Sequence, residues 1–433
     1  MADAAADSPL LPSRFADWFA AQGWSPRAHQ LEMVARARAG RDALLIAPTG
    51  GGKTLAGFLP SLVELAGQPR EVRRGVHTLY ISPLKALAVD VERNLARPIR
   101  EMGLDITAES RTGDTGIARR QRQKMRPPDI LLTTPEQLAL FCAWEGSRLY
   151  FEDLACVVID EIHALHASKR GDLLALGLAR LSALAPGMRR IGLSATVDDP
   201  DVIRRWMGCG DRPVDLVRGP PGAPPEVDLL LSNGRTPWAG HTAQHAMAEV
   251  YDAIRRARTA LVFVNTRFQA EFAFQELWKL NEENLPIALH HGSLAPEQRR
   301  KVEAAMARGE LKAVVCTSTL DLGIDWGDVD LVIQLASPKG ASRMVQRIGR
   351  ANHRLDEPSR ALFVPANRFE TLECQAAREC IAENRLDGEP LRTGALDVLA
   401  QHLLGCACAE PFDAAAMLTE ARTAGPYRGL SAA

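Results

Sequence analysis

Short, continuous runs of apolar residues recur along this chain of 433 residues, and they limit its fold more than any other feature. Helix-like segments separate the runs, which is typical of repeated strand–helix–strand units whose parallel strands are buried on both faces. A first series of predicted strands lies at residues 43–47, 78–82, 130–133, 156–160 and 191–194, and a second series at 260–265, 287–290, 313–317, 331–335 and 361–364. The sequence therefore predicts two α/β lobes with parallel sheets.

Two changes in composition divide the chain. A cluster rich in proline and glycine at residues 218–225 cannot continue a regular strand or helix, and it separates the two strand series. From about Leu386 the sequence is helical and rich in alanine, and this tail is short for a complete third domain. We therefore predict a first lobe at residues 1–217, a second lobe at 218–385 and a C-terminal segment at 386–433.

Composition and charge narrow the class of protein. Hydrophobic residues make up 46 % of the chain and charged residues 24 %, as in globular proteins. No apolar run reaches the roughly 18 residues of a membrane helix, and residues 1–11 lack a signal-peptide pattern, so we expect a cytoplasmic protein without a membrane partner. The eight cysteines include no CxxC pair, which favours structural thiols over a metal site. The net charge of −1 gives no sign of nucleic acid, and the basic run at residues 119–126 is interpreted as a solvated helix face.

Residues 47–54, Ala-Pro-Thr-Gly-Gly-Gly-Lys-Thr, follow a predicted strand and open a helical pattern. Glycines let backbone amides turn toward phosphate oxygens, and the N-terminus of the helix attracts the same anion. Lys53 is predicted to reach the β- and γ-phosphates, and the Thr54 hydroxyl to ligate Mg²⁺. The phosphate cradle itself is assigned to Thr49, Gly50, Gly51 and Gly52. Ala47 stands where the usual pattern begins with glycine, and the alternative is a glycine-rich turn without a ligand.

Two adjacent carboxylates, Asp160 and Glu161, end a predicted buried strand. Ligands of such sheets bind at the carboxyl ends of the strands, beside the phosphate loop. Asp160 is predicted to hold Mg²⁺ through water, and Glu161 to orient and deprotonate an attacking water. His163 and His166 lie three residues apart, and we interpret His163 as a hydrogen-bonding residue rather than a metal ligand.

The second lobe contains Gln346-Arg347-Ile348-Gly349-Arg350 at the start of a predicted helix. An arginine that reaches across from a second lobe can neutralise charge on a phosphoryl group in transfer, an effect of roughly 10³ to 10⁵ in rate. A small-molecule kinase also has a phosphate loop, but it would not need this second strand series with Arg347 and Arg350.

In their order, these motifs resemble those of the superfamily 2 helicases, whose core is two RecA-like lobes. The matching blocks are residues 47–54, 82–87, 133–136, 160–163, 194–196, 263–267, 317–325 and 346–350. Within the superfamily, residues 111–115, 289–294 and 319–325 are similar to the bacterial large helicase-related (Lhr) family, and residues 352–358 resemble its ligase-associated branch. The resemblance runs from about residue 15 to 427, and it implies two tandem RecA-like parallel-sheet lobes followed by the beginning of a winged-helix domain, without most of the C-terminal region.

The resemblance implies roles around ATP. Gln30 would read the adenine edge with Trp24 or Arg27 near the base, Asp325 would contact the ribose, and Gln346 would link to the carboxylates. His353 stands where many relatives have a third arginine, so Arg350 would be the main finger with help from Arg347. Coupling of hydrolysis to lobe movement is assigned to His163, Ser194 and Thr196.

The resemblance also implies a channel for a nucleic-acid strand. Its lining is assigned to Ser82, Lys85, Thr112, Gly113, Thr134, Asn265, Thr266, Arg267, Gly292, Ser293, Thr317 and Thr319. Contacts to phosphates carry no sequence information, so binding should be largely independent of sequence. The expected partner is single-stranded or partly duplex DNA, with 3′-to-5′ movement and a role in DNA repair beside a ligase and a nuclease. Alternatives are an RNA helicase, or an ATP-gated clamp or inactive fragment without unwinding activity.

Overall fold

Two parallel β-sheets organise the computed structural model, which describes residues 10–195, 197–321, 329–351 and 357–431. The first sheet contains β1 (Asp42–Ile46), β2 (Thr78–Ile81), β3 (Ala108–Ser110), β4 (Ile130–Thr133), β5 (Cys156–Ile159), β6 (Arg189–Ser194) and β7 (Val214–Arg218). The second sheet contains β8 (Glu226–Leu229), β9 (Ala260–Phe263), β10 (Ile287–His290), β11 (Ala313–Cys316), β12 (Leu331–Leu335) and β13 (Arg360–Val364). The fold predicted from the sequence, two parallel-sheet lobes, is confirmed.

Helices connect the strands and cover both sheets. In the first lobe they are α1 (Ser13–Ala21), α2 (Ala28–Arg38), α3 (Lys53–Ala66), α4 (Lys85–Glu101), α5 (Ile117–Met125), α6 (Pro135–Cys142), α7 (Ser147–Phe151), α8 (Lys169–Leu184) and α9 (Pro200–Met207). The second lobe has α10 (Met247–Arg256), α11 (Arg267–Leu280), α12 (Pro296–Ala307), α13 (Ala341–Ile348) and α14 (Arg368–Ala382), and the C-terminal segment has α15 (Leu396–Ala409) and α16 (Ala414–Arg422). Among the described residues, no helix combines the length and the apolar composition needed to span a lipid bilayer.

The order of the strands decides which loops lie together. The first sheet has the order β3-β4-β2-β5-β6-β1-β7, and the second has β10-β11-β9-β12-β13-β8. All pairings are parallel, so the carboxyl ends of all strands in a sheet meet at one edge. In the first sheet, the loops after β3, β4 and β2 therefore form one group, and those after β5, β6 and β1 form another.

The sheets are buried on both faces, which explains the continuous apolar runs. In β5, for example, Val157 and Ile159 pack into the cluster on one face, whereas Cys156 and Val158 pack into the cluster on the other. Cys316 in β11 is also fully buried, as expected for a cysteine that acts as a small hydrophobe. Parallel strands with helices on both sides leave little room for polar side chains.

The C-terminal segment returns to the first lobe after the chain has built the second. Helix α15 packs against α6 and α8, and Arg180 of α8 forms ion pairs with Glu410 at 2.5 Å and Glu420 at 3.3 Å. Residues 219–225 contain no regular helix or strand and connect the two sheets. We propose the domain boundaries 1–217, 218–385 and 386–433 on this organisation, and assignment of the last segment to a winged helix stays a prediction.

Residues 385–395, which we call the strap, connect the second lobe to this C-terminal segment. At one end, Asp387 accepts hydrogen bonds from the Ser342 backbone amide at 3.1 Å, at the start of α13 in the second lobe. At the other end, Arg392 and the Ala395 amide donate to Asp172 of α8 in the first lobe at 2.9 and 3.1 Å. The strap is thus fixed to both lobes.

Candidate nucleotide site and strand-binding edge

The glycine-rich loop joins β1 to α3, as the sequence predicted. Gly50 and Gly52 have φ angles of 73° and 74°, a left-handed conformation that favours glycine. A Cβ atom on Gly51 would lie 2.7 Å from the Pro48 carbonyl oxygen, so this position also excludes a side chain. All three glycines are therefore required by the local backbone, which leaves their amides near the N-terminus of α3.

Three side chains at the beginning of α2 hold the carbonyl oxygens of this loop. Arg27 Nη1 donates to Gly50 O at 3.0 Å, His29 Nε2 lies 3.0 Å from Gly51 O, and Gln30 Nε2 donates to Gly52 O at 3.5 Å. Because these contacts fix the carbonyl oxygens on one side of the loop, the loop is positioned to bind an anion on its other side. The sequence predicted adenine contacts for Gln30 and missed this brace, because the three contacts cross from α2 to a distant loop.

The Asp160 carboxylate is held by two hydrogen bonds. Tyr80 Oη donates to Oδ2 at 2.6 Å, and the Glu161 backbone amide donates to Oδ1 at 2.8 Å. Burial and the neighbouring Glu161 raise the pKa of Asp160 to about 6. Carboxylate and hydroxyl oxygens are suitable ligands for Mg²⁺, so Asp160 and the Thr54 hydroxyl, which line the same cavity, fit the predicted metal.

Charged groups of both signs meet in this buried site. Burial lowers the pKa of Lys53, and the carboxylates of Glu161 and Asp160 act against this shift. Burial alone would raise the pKa of Glu161, but His163, Lys53 and Arg350 outweigh it and lower the value. Glu161 is therefore kept ionised, which a residue that takes a proton from water requires.

His163 links Glu161 to the end of β6. Its Nδ1 is hydrogen bonded to Ser194 Oγ at 2.8 Å, and its Nε2 lies 3.6 Å from Glu161 Oε2. Burial lowers the pKa of His163, and the nearby Glu161 carboxylate acts against this shift. The structure thus brings together two of the three residues predicted to couple hydrolysis to movement, whereas Thr196 lies outside the described residues.

Arg350 brings the second lobe to the phosphate loop. It lines one cavity of about 890 Å³ together with Thr49, Lys53 and Glu161. Gly349 lies so close to the loop that an added Cβ would be 3.1 Å from Thr49 Oγ1. The two lobes therefore meet at the predicted nucleotide site.

Arg347 lies elsewhere, in the interior of the second lobe. Its Nε donates to Asp321 Oδ1 at 2.8 Å and its Nη1 to Gln334 Oε1 at 2.6 Å. Its guanidinium also lies over the Phe263 ring. The structure does not bring Arg347 to the cavity. Gln346 is half-buried and its carbonyl accepts from Arg350 Nε at 3.4 Å, while Asp325 and His353 lie outside the described residues.

The residues predicted to line the strand channel of the first lobe follow adjacent strands. Ser82 follows β2, Thr112 and Gly113 follow β3, and Thr134 follows β4. Lys85 Nζ forms an ion pair with Asp114 at 2.9 Å beside Gly113. These residues lie in the half of the sheet that does not carry the nucleotide loops.

Helix α5 carries the basic run and supports this edge. Arg120 Nη2 donates to the carbonyl oxygens of Thr112 and Gly113 at 3.1 and 2.6 Å. Arg119 and Arg122 form ion pairs with Glu109, so the exposed helix face is partly neutralised. The run therefore acts mainly within the protein.

The same arrangement recurs in the second lobe. The residues predicted for the channel follow β9, β10 and β11, which are adjacent in the second sheet: Asn265, Thr266 and Arg267; Gly292 and Ser293; Thr317 and Thr319. Asn265 Nδ2 donates to Ser337 O at 2.8 Å, and Thr319 Oγ1 is hydrogen bonded to His290 Nδ1 at 2.8 Å. Each lobe thus presents these residues at the carboxyl edge of three neighbouring strands.

A phosphate loop and paired carboxylates in one lobe, faced by an arginine from a second lobe of the same architecture, define the class of two-lobed P-loop proteins that includes the superfamily 2 helicases. The family models for the DEAD/DEAH box helicase and the helicase conserved C-terminal domain match residues 27–204 and 244–354. The chain is 35 % identical, over 96 % of its length, to the Lhr helicase/probable uracil glycosylase of Mycolicibacterium smegmatis, and covers 30 % of that protein. It is 38 % identical, over 90 % of its length, to the ATP-dependent helicase Lhr-Core of Methanothermobacter thermautotrophicus, and covers 48 % of it.

Solved structures give the same result. The structure of Mycobacterium smegmatis helicase Lhr bound to ssDNA and AMP-PNP matches with a TM-score of 0.89 and 34 % identity, over 98 % of this chain and 56 % of that one. The DEAD-box helicase Mss116 bound to ssRNA and UDP-BeF is 18 % identical, over 92 % of this chain and 90 % of that one, with a TM-score of 0.70, and shares the fold alone. This chain carries the two helicase domains, and its sequence and fold are similar to those of Lhr helicases over nearly its whole length. It spans about half or less of the length of these Lhr relatives, and its place in the ligase-associated branch stays a prediction.

Proposed function

We propose that this chain hydrolyses ATP between its two lobes to move along a single strand of DNA. The observation that carries the proposal is the position of Arg350, which lines the same cavity as Lys53 and Glu161 although it belongs to the other lobe. An arginine in this position would bind the γ-phosphate only while the lobes are closed. Nucleotide state and lobe position would then depend on each other.

In the proposed reaction, the loop amides and Lys53 bind the phosphates, and Glu161 accepts a proton from the attacking water. Asp160 and Thr54 would hold Mg²⁺, which would neutralise charge on the phosphate oxygens. Arg350 stabilises the charge that develops on the transferred group. The lowered pKa of Glu161 supports its role, because an ionised carboxylate is needed to accept the proton.

Movement is proposed to follow from loss of the γ-phosphate. The contact between Arg350 and that phosphate disappears after hydrolysis. The closed arrangement of the lobes is then no longer stabilised relative to the open one. His163 lies beside Glu161 and is hydrogen bonded to Ser194, so these contacts connect Glu161 to the end of β6. The strand contacts of each lobe would then tighten and loosen in turn.

DNA is proposed as the strand because the Lhr structure matched over 98 % of this chain was solved with ssDNA. The 3′-to-5′ direction, a role in DNA repair, and ligase and nuclease partners are proposed from the family resemblance. RNA is the second candidate partner, because residues that hold phosphates do not distinguish a ribose from a deoxyribose.

The test is ATP hydrolysis by this chain without a strand, with oligo-dT and with oligo-U. We expect stimulation by oligo-dT, and a loss of roughly 10² to 10⁴ in rate for Glu161→Gln, whose amide cannot accept the proton. Stimulation by oligo-U alone would assign the protein to RNA. ATP-dependent strand binding without hydrolysis would instead identify a clamp.

A further inference from the structure

Three exposed aromatic side chains in the second lobe have no role in the mechanism above. They are Trp238, Phe268 and Phe369, which are 62 %, 67 % and 64 % exposed, and we call them the aromatic edge. Large apolar side chains that are this exposed do not stabilise the core. Trp238 and Phe369 lie against each other at the surface, which indicates a place where another molecule binds.

The aromatic edge lies where the second sheet ends. Trp238 is in the loop that follows β8, Phe369 is at the start of α14 after β13, and Phe268 is at the start of α11 after β9. Because the strands are parallel, these three loops meet at the carboxyl edge of the sheet. The residues proposed to hold the strand, including Thr266 and Arg267, lie at the same edge.

Hydrogen bonds connect the Trp238 loop to the proposed strand contacts. Gln269 Nε2, which lies one helical turn after Thr266, donates to His241 O at 2.6 Å. On the other side, the Arg368 amide donates to Pro237 O at 3.1 Å, and Asn367 Nδ2 donates to Gly240 O at 2.8 Å. The loop is therefore held in place at both ends.

A second chain of contacts leads to Asn265. The Glu370 carboxylate accepts from the Ser337 amide at 3.1 Å, and the Ser337 carbonyl accepts from Asn265 Nδ2 at 2.8 Å. The start of α14, which carries Phe369, is thereby positioned relative to the end of β9. Hydrogen bonds therefore connect the segments that carry the aromatic edge to the proposed strand contacts.

The chemistry of this surface suits unpaired bases. The rings of Trp238 and Phe369 are 6.4 Å apart at an angle of 55°, and the Arg368 guanidinium lies 4.3 Å from the centre of the Trp238 ring. Bases of a single strand stack on aromatic rings and on guanidinium planes, while arginines also attract the phosphates. Arg368 also places a positive charge beside the rings, which the phosphates of a strand would complement and an apolar protein surface would not.

We propose that the aromatic edge is a stacking platform for the bases of the single strand, with Trp238 and Phe369 as its centre. It extends the phosphate-holding residues toward the exposed face of the second lobe. The inference rests on the proposed function, since it concerns the same strand. Stacking needs no base identity, so the platform would add affinity without adding sequence specificity.

Strand binding by matched variants tests the platform. Affinity for fluorescein-labelled oligo-dT is measured by anisotropy for the wild type, Trp238→Ala, Phe369→Ala and Trp238→Phe. Loss of one stacked base is expected to weaken binding roughly 10-fold for each alanine variant, whereas Trp238→Phe keeps most of the affinity. Trp278→Ala is the control, because Trp278 is 58 % exposed in the same lobe but lies near the far end of α11.

An abasic strand with the same phosphates separates stacking from other effects. Wild type and Trp238→Ala should bind it equally, because it offers no base to stack. The proposal of a stacking platform is wrong if Trp238→Ala binds oligo-dT as tightly as the control does. It is also wrong if this substitution weakens binding of oligo-dT and of the abasic strand equally. A change in sedimentation without a change in affinity would identify a protein interface instead. If the wild type binds no strand and shows no stimulated hydrolysis, the proposed function itself fails.

Discussion

Tyr80 shows how one residue outside the motifs can order a site. Its hydroxyl donates to Asp160 at 2.6 Å, and its ring stacks on Phe58 of α3 with centroids 5.3 Å apart. The residue is fully buried and sits in β2, the strand beside β5. Sequence reasoning could not find this contact, because an aromatic residue in an apolar run is normally part of the core.

We expect Tyr80→Phe to weaken the affinity for Mg²⁺ and to leave the fold intact. Loss of a hydrogen bond to a metal-holding carboxylate typically costs about 10-fold in metal affinity, so half-maximal hydrolysis should need about 10-fold more Mg²⁺. Titration of ATP hydrolysis with Mg²⁺ measures this shift. Phe58→Leu disturbs the same packing without touching Asp160, and an equal shift in that control would contradict the interpretation.

Arg347 and Arg350 lie three residues apart in different surroundings, and their variants should differ accordingly. Arg347→Ala removes the hydrogen-bonded cation from the buried Asp321 carboxylate and leaves the more distant Arg343 at 4.0 Å, which should lower the free energy of unfolding by about 3–5 kcal/mol. Arg350→Ala should instead lower strand-stimulated hydrolysis by roughly 10³ while the protein unfolds much as the wild type does. Urea unfolding and hydrolysis rates measure the two effects. Similar losses of stability in both variants would argue against this division.

At the level of elements, ten of the thirteen described strands were predicted from apolar runs. The three that were missed, β3, β7 and β8, lie at the ends of their sheets and contain charged residues. An edge strand has a neighbour on only one side and exposes more of its surface, so its sequence need not be continuously apolar. The nucleotide loops were predictable because their residues are consecutive. The brace from α2 was not, because it depends on the tertiary fold.

Helix α15 should make stability depend on pH through His402, which is buried against the first lobe. Burial, together with the nearby Arg180, lowers the pKa of His402 to about 4, compared with 6.5 for the free side chain. The unfolded chain therefore takes up this proton first, so stability is lost as the pH falls from 6.5 toward 4. The loss should be roughly 2.5 kcal/mol at pH 4.5.

His402→Gln provides the comparison. Urea unfolding at pH 7 and 4.5 should show that the wild type loses roughly 2.5 kcal/mol more than the variant between the two values. Glu410 and Glu420 titrate in both proteins, so the difference isolates His402. Parallel losses in the two proteins would show that the imidazole is not responsible.

At the scale of the whole molecule, a buried ion pair between Arg392 and Asp172 holds the strap to the first lobe. Asp172 is fully buried and accepts from Arg392 and from the Ala395 amide. Arg392→Ala leaves this carboxylate without its cation, so the strap should detach and become accessible to protease, with a loss of about 3 kcal/mol in the free energy of unfolding. Limited proteolysis, followed by mass determination of the fragments, measures the detachment.

The control is an exposed ion pair in the same region. Lys169 and Asp397 pair at 2.6 Å, but their side chains are 62 % and 65 % exposed. Lys169→Ala should change the free energy of unfolding by less than about 1 kcal/mol and leave the proteolysis pattern unchanged. Cleavage in the strap of this variant would mean that the buried pair is not what holds it.

The return of the chain to the first lobe has a mechanical consequence. The lobes are joined twice, once by residues 219–225 and once by the strap, which binds Ser342 on one side and Asp172 on the other. Lobes joined by one flexible connection can twist relative to each other as well as rotate. Two connections restrict this motion to rotation about the line between them. In each round of ATP turnover the lobes would therefore rotate about the same axis. The edges that hold the strand would separate along the path by which they came together.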